Sequence, residues 1–414
     1  MSQPAQTNEQ TAGALASTEQ SGARNAALAM FGLLLVCYVL MSADRYHISI
    51  LAPDIRMALG LTLPQMGALT TLFTLGIGIA GLPAGSLILR YSRKAVLLAG
   101  IVIFSAATYL FTVATSFLSM LVFVVMQGVG MSFLATGMFS LAASYFANNR
   151  VAAVGMVNVC FGLGSFVGPW AIGNIRGNTG NWETPPLVFA ACGVVLAILV
   201  ALLVRPWFTE TKAVAKKGED TGGAATLINH NTMILCVLSI IYGLGVYGFL
   251  GLYPTFLRES LQFTPPEAGA VLKYFGAGGL LAFFGGMLGD RVSPKIVIVG
   301  ASLGVVILGY FLYLPDLSVT TREILVGLYG VVGAGVLYTN LGGAHIKALR
   351  RSLSSRGSSM FVTTLYAGGA FGGYLMGALV RNVDWVMAGR IQISLLALLG
   401  ALLALWLRPD EMSK

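Results

Sequence analysis

Apolar residues dominate the chain in long continuous stretches, without the alternation of a half-buried strand. Twelve of these stretches reach the roughly 20 residues that a helix needs to cross a bilayer. Short segments rich in Gly, Pro, Lys and Arg separate them, and one longer polar stretch follows the sixth. The pattern predicts an all-α membrane protein, because only helices and closed barrels satisfy every backbone hydrogen bond in lipid.

The long polar stretch divides the predicted helices into two groups of six. We expect, in chain order, a disordered cytoplasmic tail (1–25), a six-helix bundle (26–204), a cytoplasmic linker (205–230), a second six-helix bundle (231–407) and a short cytoplasmic tail (408–414). The first 25 residues contain no apolar run, so they lack the core of a cleaved signal peptide.

Composition and charge exclude a soluble protein. Hydrophobic residues make up 56% of the chain and charged residues 10%, whereas soluble proteins are about 25% charged. Most Lys and Arg residues lie in segments on one predicted side, and the positive-inside rule assigns that side, with both termini, to the cytoplasm. We expect a monomeric multi-pass protein of a bacterial inner membrane, in contact with the lipid bilayer and with no nucleic-acid partner. No catalytic or metal-ligand spacing is present, so we expect neither an enzyme nor a cofactor.

The two halves repeat each other in sequence. A constant shift along the chain superimposes turn prolines, glycines and loop cations of the first half on those of the second. The matched pairs include Pro53 with Pro254, Pro64 with Pro265, Gly78 with Gly279, Gly85 with Gly286, and Arg90 with Arg291. Parallel internal repeats of this kind are typical of secondary transporters that work by alternating access.

The strongest motif lies after the eighth predicted helix and reads Gly286-Met-Leu-Gly289-Asp290-Arg291-Val-Ser-Pro-Lys295. It resembles the G-x-x-x-D-R-x-G-R-K loop signature of the major facilitator superfamily. The copy in the first half begins at Gly85 and keeps Arg90, but it has Leu89 in place of the acid. The resemblance implies twelve helices in two pseudo-symmetric six-helix bundles, and it implies secondary transport. It also implies that these loops control opening and closing, with a weaker lock at the Leu89 copy.

Helix 5 of the prediction contains Gly164, Gly168 and Pro169, and it resembles the glycine-proline signature of antiporters in the same superfamily. Gly168 and Pro169 are therefore candidates for conformational control, and simple close packing is the alternative. Helix 4 contains Gln127-Gly-Val-Gly, which resembles an R-x-x-Q-G-x-G signature with Val124 in place of the arginine. Gln127 is left as a neutral hydrogen-bonding candidate.

The most unusual residues are Asp44 and Arg45 in the first predicted helix, since charges at membrane depth are expensive and usually functional. The segment from Asp44 to Pro53 resembles the first helix of anion:cation symporters, and also that of spinster-like lipid transporters. An Asp–Arg pair with a purely structural role is the alternative. Asp44 is the one carboxylate well inside a predicted span, so we expect it to couple transport to protons.

Lys273 is a second cation at the depth of Arg45. Each lies eight residues from a boundary proline, or about 12 Å at the rise of an α-helix. Arg45 and Lys273 together predict a positive centre that binds an anionic substrate, although a lysine that snorkels to the interface is the alternative. Gln127, Tyr366 and Asn340 are further candidates for lining the substrate cavity, and each can instead form a hydrogen bond between helices.

The sequence therefore predicts a secondary active transporter that moves a small carboxylate-type organic anion by alternating access, coupled to protons. The resemblances in helices 1 and 5 leave open an efflux antiporter or exporter of amphipathic compounds or lysolipids. A non-transporting receptor or sensor would need a soluble domain, which this sequence does not contain.

Overall fold

The structure is a computed structural model that describes residues 4–146, 150–210, 222–350 and 353–413. Regular structure in these ranges is helical, apart from one isolated bridge between Ala224 and Leu349. Ten helices are long and apolar enough to cross a membrane. The other two predicted spans are also helical, but one is interrupted at Leu281 and the other is rich in Ser, Thr and Gly. The predicted all-α membrane fold is confirmed.

The first half begins with one long helix and ends with a single turn. Its helices are α1 (Pro4–Asp44), α2 (His47–Ile50), α3 (Ala52–Leu59), α4 (Leu63–Arg90), α5 (Arg93–Phe111), α6 (Phe117–Tyr145), α7 (Arg150–Thr179), α8 (Thr184–Leu203) and α9 (Pro206–Thr209). The backbone is helical from Pro4 onward. Ala and Gln, which are frequent in this segment, favour helix.

The second half contains three π-helical stretches that continue α-helices without a break. Its helices are α10 (His230–Thr255) with a π-helical end (Phe256–Ser260), α11 (Pro265–Leu280), α12 (Ala282–Arg291), α13 (Pro294–Leu312), α14 (Val319–Tyr329), a π-helical stretch (Gly330–Tyr338), α15 (Thr339–Lys347), α16 (Ser354–Asn382), α17 (Trp385–Gly389), a π-helical stretch (Arg390–Leu395) and α18 (Leu396–Ala404).

The segment between the halves is attached at both of its described ends. After α9, the Glu210 carboxylate accepts hydrogen bonds from the amides of Arg93 and Lys94 and so caps the start of α5 in the first half. Ala224 exchanges backbone hydrogen bonds with Ala348 and Arg350 of the second half. Residues 211–221 lie outside the described part. We call the end of the bundle where this segment attaches the linker side, and the opposite end the far side.

The two halves are in tight contact at the far side. A Cβ atom on Gly67 of α4 would lie 2.0 Å from the carbonyl oxygen of Gly373 of α16, and one on Gly173 of α7 would lie 2.4 Å from that of Pro265. These helices meet backbone to backbone, which only residues without a side chain permit. Toward the linker side, a Cβ on Gly78 or Gly85 would have no neighbour within 4 Å. The described part is therefore closed between the halves at the far side.

Candidate functional site

The first membrane helix is interrupted where its charged residues lie. Helix α1 ends at Asp44, and the chain turns through Arg45 and Tyr46 before α2 begins. The amide of Tyr46 donates to the carbonyl oxygen of Ala43 at 3.2 Å, a contact that tightens the last turn of a helix. A second interruption at Leu51 precedes Pro53, which has no amide hydrogen with which to continue the helix. Transporters use such discontinuous helices to present binding groups near the middle of the membrane.

The guanidinium of Arg45 is surrounded by aromatic rings from both halves. Its Cζ atom lies 5.2 Å from the ring centres of Phe73 and Phe161, 5.7 Å from that of Tyr46, and 5.8 Å from that of Tyr247. Tyr247 belongs to α10, so the second half closes one wall of this enclosure, and its hydroxyl accepts a hydrogen bond from Arg45 Nη2 at 3.3 Å. We call these four rings the Arg45 cage. A cation over several ring faces gains electrostatic energy from each of them.

Further tyrosines surround the cage. The ring centres of Tyr247 and Tyr366 are 6.0 Å apart, and Tyr38, Tyr338 and Tyr366 all lie within electrostatic range of the Arg45 guanidinium. Tyr338 is 40% exposed, whereas Tyr38 is buried. The region between the halves is therefore lined by aromatic surface with hydroxyl groups at its edges.

Arg45 has no carboxylate within ion-pair distance among the described residues. It is half-buried, and contacts between the halves seal its far side. Ser49 donates a hydrogen bond to the Leu250 carbonyl, and Thr71 donates one to the Ala370 carbonyl at 3.0 Å. The guanidinium thus lies beside the contacts that close the far side.

Asp44 faces away from Arg45 into the first bundle. It is 1% exposed, and its Oδ2 atom accepts hydrogen bonds from Thr108 Oγ1 at 2.6 Å and from Gln127 Nε2 at 2.8 Å. Its Oδ1 atom is 3.2 Å from His47 Nδ1, and that nitrogen is 2.8 Å from the Asp44 carbonyl oxygen. The predicted residues Asp44 and Gln127 are therefore together, in one buried polar cluster behind the cage.

His47 completes this cluster and is itself fully buried. Its ring meets Phe189 of α8 edge-on, with ring centres 4.6 Å apart, and its Nε2 atom has no hydrogen-bond partner. A buried nitrogen without a partner is costly to leave unsatisfied. The cluster therefore holds two titratable groups one helical turn apart, and α5, α6 and α8 supply its other walls.

The other two predicted substrate-binding residues lie elsewhere. Lys273 Nζ is 5.9 Å from the ring centre of Phe166 and 5.0 Å from that of Tyr274, and neither ring belongs to the Arg45 cage. Asn340 donates to the carbonyl oxygens of Gly285 at 3.0 Å and Val336 at 2.8 Å, so it links α15 to α12. The structure brings Arg45 near Tyr366 and joins Asp44 to Gln127, but it does not bring Lys273 or Asn340 into contact with either group.

The predicted control residues of α7 lie where both halves meet that helix. A Cβ on Gly168 would be 2.7 Å from Ala43 of α1, and the Pro169 carbonyl would be 2.2 Å from a Cβ on Gly269 of α11. The glycine-proline motif thus lets α7 pack closely on α1 and, across the interface, on α11. This is the close-packing alternative, and it places the motif at the boundary between the halves.

The described residues of the predicted loop locks have few contacts. A Cβ on Gly286 would meet only a methyl group of Thr339, at 3.6 Å, and Arg90 lies over its neighbour Tyr91. Arg291 is exposed and Lys295 is half-buried. The side chains of Asp290 and Leu89 lie outside the described residues, so the lock predicted for Asp290 stays a prediction.

An ionic cluster at the far side joins the halves instead. The Asp54 carboxylate of α3 pairs with Arg258, at the end of α10, and with Arg176 Nη2 of α7 at 2.8 Å. Arg56 Nη1 donates to Glu259 at 2.6 Å, which is a second bond between the halves. Asp54 lies beyond Ile50, where the first membrane-spanning segment ends. Burial raises the pKa of Asp54, but hydrogen bonds from Arg258 and Arg176 outweigh this effect and hold the pKa below its usual value.

Sequence reasoning assigned no role to His47, Thr108 or the far-side cluster. The spacing of His47 three residues after Asp44 was a usable signal, because residues three apart share a helix face. Thr108 and the partners of Asp54 gave no such signal, since their contacts join segments far apart in the chain.

Comparisons with known proteins place the chain in a family. The profile of the Major Facilitator Superfamily matches residues 34–234 and again residues 235–414. The chain belongs to the major facilitator superfamily. The protein is therefore a membrane transporter of that superfamily, and the two matches correspond to its two halves.

Curated relatives in this superfamily have varied names. An uncharacterized MFS-type transporter of Bacillus subtilis, YceJ, is 21% identical over 83% of this chain and 87% of its own length. The hexuronate transporter of B. subtilis is 25% identical (63% of this chain, 64% of its own), and the 3-(3-hydroxy-phenyl)propionate transporter of Escherichia coli is 27% identical (64% and 65%). A multidrug resistance protein B homolog of Mycobacterium tuberculosis is 28% identical over 63% of this chain but only 47% of its own.

Solved structures have the same fold. A bacterial homolog of the human lysosomal transporter Spinster, in an inward-facing and occupied conformation, matches with a TM-score of 0.71. The match covers 91% of this chain and 95% of that protein, at 16% sequence identity. At this identity the likeness supports the fold alone.

Proposed function

We propose that this transporter carries a small carboxylate-type organic anion by alternating access, and that uptake of a proton accompanies the anion. The observation that carries the proposal is Arg45, a half-buried cation at the junction of the halves with no described carboxylate partner. Removing a cation from water is expensive unless an anion or a set of dipoles replaces the water. The rings of the cage replace part of it, and a bound carboxylate would replace the rest through charge-assisted hydrogen bonds.

The names of two relatives support an anionic substrate, since one is a hexuronate transporter and another is a 3-(3-hydroxy-phenyl)propionate transporter. Arg45 alone is the binding cation in this proposal. Lys273 contacts a different pair of rings, so we assign it no contact with substrate while the far side is closed.

We propose the Asp44–His47 cluster as the proton site. Thr108 and Gln127 donate hydrogen bonds to the Asp44 carboxylate. The remaining faces are the Phe189 ring and the Arg45 turn, and no lysine or arginine pairs with Asp44 among the described residues. Because the partners of Asp44 come from α5 and α6, a movement of α1 against these helices would change the hydrogen bonds of the carboxylate.

The decisive experiment separates binding from coupling in proteoliposomes. With radiolabelled D-glucuronate and 3-phenylpropionate as probes, Arg45→Gln should lose both counterflow exchange and gradient-driven uptake. Asp44→Asn should lose uptake driven by a proton gradient but keep counterflow. The matched control is Arg390→Gln, because Arg390 stacks on Tyr310 outside the cage. Uptake by Arg45→Gln at the wild-type rate would refute the anion assignment, and gradient-driven accumulation by Asp44→Asn would remove Asp44 from the mechanism.

An exporter of amphipathic compounds or lysolipids is the second candidate function. The aromatic lining of the cavity and the multidrug resistance relative favour it. If ethidium or lysophosphatidylcholine stabilises the protein while both carboxylates fail to do so, this second function replaces the first.

We further propose a monomer in a bacterial inner membrane with the linker side in the cytoplasm, on the grounds of the positive-inside rule.

A further inference from the structure

The Arg45 cage does more than hold a cation, because its rings also surround the place where an anion would bind. We propose that this site selects carboxylates attached directly or by a short chain to a flat aromatic ring; the proposal rests on the organic-anion function proposed above. The observation behind it is that four rings, one from the turn after α1 and the others from α4, α7 and α10, have centres 5.2 to 5.8 Å from Arg45 Cζ.

The geometry leaves little space between the anion and the rings. A carboxylate that accepts two hydrogen bonds from a guanidinium has its carbon about 4 Å from Cζ. That distance is shorter than the distance from Cζ to any ring centre of the cage. The group attached to the carboxylate must therefore lie against one or more of these rings. Phe73 and Tyr247 are buried, whereas Phe161 is half-buried, so the approach to Arg45 passes Phe161.

Aromatic surface at this position favours a ring over a polyhydroxylated chain. Two aromatic rings in contact gain an edge-to-face or stacking term beyond the area they bury. The hydroxyls of a sugar acid would instead need hydrogen-bond partners. The two aliphatic hydroxyl groups nearest the cage are already used as donors, since Ser49 donates to the Leu250 carbonyl and Thr70 donates to the Gly67 carbonyl at 2.7 Å. The Tyr247 hydroxyl accepts a hydrogen bond from Arg45.

The side chains of Thr108 and Gln127, behind the cage, are also committed. Gln127 donates to Asp44, and Asp44 accepts from Thr108 as well. A substrate hydroxyl that leaves water here without a new partner pays the full cost of desolvation. The site therefore discriminates between organic acids by what is attached to the carboxylate.

The first test compares ligands of matched size on the unmodified full-length protein in nanodiscs. Benzoate and cyclohexanecarboxylate share a carboxylate and a six-membered ring, and only one ring is aromatic. We expect benzoate to bind about threefold to tenfold more tightly, the range that one aromatic contact provides, and 3-phenylpropionate to bind more tightly than D-glucuronate. Isothermal titration calorimetry measures all four, and no variant is needed.

The second test removes one ring at a time. Phe161→Leu should reduce the preference for benzoate over cyclohexanecarboxylate, because it removes one of the four rings of the cage. Phe371→Leu is the matched control, because Phe371 is 64% exposed on α16 and outside the cage. Tyr247→Phe keeps the ring and should keep the preference for benzoate.

The outcomes separate this inference from the function on which it rests. If both six-membered acids bind equally and Arg45→Gln abolishes both, the anion function stands and the aromatic selectivity is wrong. If none of the four acids binds, the anion function itself fails. A preference for benzoate that survives in Phe161→Leu and is lost in Phe371→Leu also overturns the proposal.

Discussion

The salt bridge between Asp54 and Arg258 should hold the far side closed, and Arg258→Gln tests this. The bond joins the two halves, while the Asp54–Arg176 bond lies within the first half. The Asp54 side chain is 4% exposed and that of Arg258 is 11%, so the pair is nearly buried. Breaking a fully buried pair costs about 3–5 kcal/mol. Because Asp54 keeps Arg176, we expect a smaller loss of about 2 kcal/mol, which is roughly a 30-fold shift in the equilibrium between the conformations.

Two control variants make the reasoning specific. Arg56→Gln also breaks a bond between the halves, but that pair is 32% and 33% exposed, so its loss should shift the equilibrium only about twofold. Arg176→Gln removes a partner of Asp54 without removing a bond between the halves. Arg258→Gln should therefore open the far side far more than either control.

Distances between spin labels provide the assay. Labels at Asn178→Cys and Asp316→Cys report the far side, and labels at Tyr91→Cys and Arg350→Cys report the linker side, in a background without Cys37, Cys160, Cys192 and Cys236. In Arg258→Gln the far-side distance should lengthen as the linker-side distance shortens. Equal shifts in Arg258→Gln and Arg176→Gln would refute the assignment of closure to the bond between the halves.

The acid strength of Asp54 adds a pH dependence with a defined sign. Its pKa is lower in the folded protein than the usual carboxyl value, so its stabilising effect is fully present above about pH 4. The effect is lost only as the pH falls through the lowered folded value. Between pH 5 and 8 Asp54 should therefore stay charged, so its titration should not change the far-side distances. A pH response in that window that persists in Asp54→Asn has another origin.

Three further predictions follow from contacts described above. Gly373→Ala would bring a Cβ to 2.0 Å from the Gly67 carbonyl oxygen, so it should open the far side. Gly78→Ala, which has free space around it, should not, and the spin-label distances test both variants. Thr108→Val removes a donor to Asp44 and should weaken gradient-driven uptake without slowing counterflow. Unchanged gradient-driven uptake would contradict the proton site. A single cysteine at Asp410→Cys should not react with an impermeant maleimide in intact cells. Strong labelling would show that the protein has the opposite orientation in the membrane.

Much of the fold followed from the apolar stretches, since their length and separation determine helices that cross a bilayer. The interruption at Arg45–Tyr46 did not follow from them. It depends on the hydrogen bond from the Tyr46 amide to the Ala43 carbonyl, which the apolar pattern does not specify. The π-helical stretch Gly330–Tyr338 has no marker in its sequence either.

The depth of a residue along its helix was easier to predict than the direction in which its side chain points from the helix axis. Arg45 and Lys273 were assigned similar depths from their distance to boundary prolines, but they contact different sets of rings. Rotation about the helix axis depends on neighbouring helices, which one sequence does not specify. The same limit applies to Asp44, which is adjacent to Arg45 in sequence and points into the bundle to meet Thr108 and Gln127.

The anchors at the two ends of the interdomain segment define a mechanical tether. Glu210 is fastened to the start of α5, and Ala224 is fastened beside Leu349, so only residues 211–223 are left to span the gap between the halves. A chain of that length extends to at most about 45 Å. The covalent connection therefore does not restrict the distance between its two anchors below about 45 Å. Deleting residues from it one at a time would show the length at which transport stops, and that length measures how far the anchors must separate.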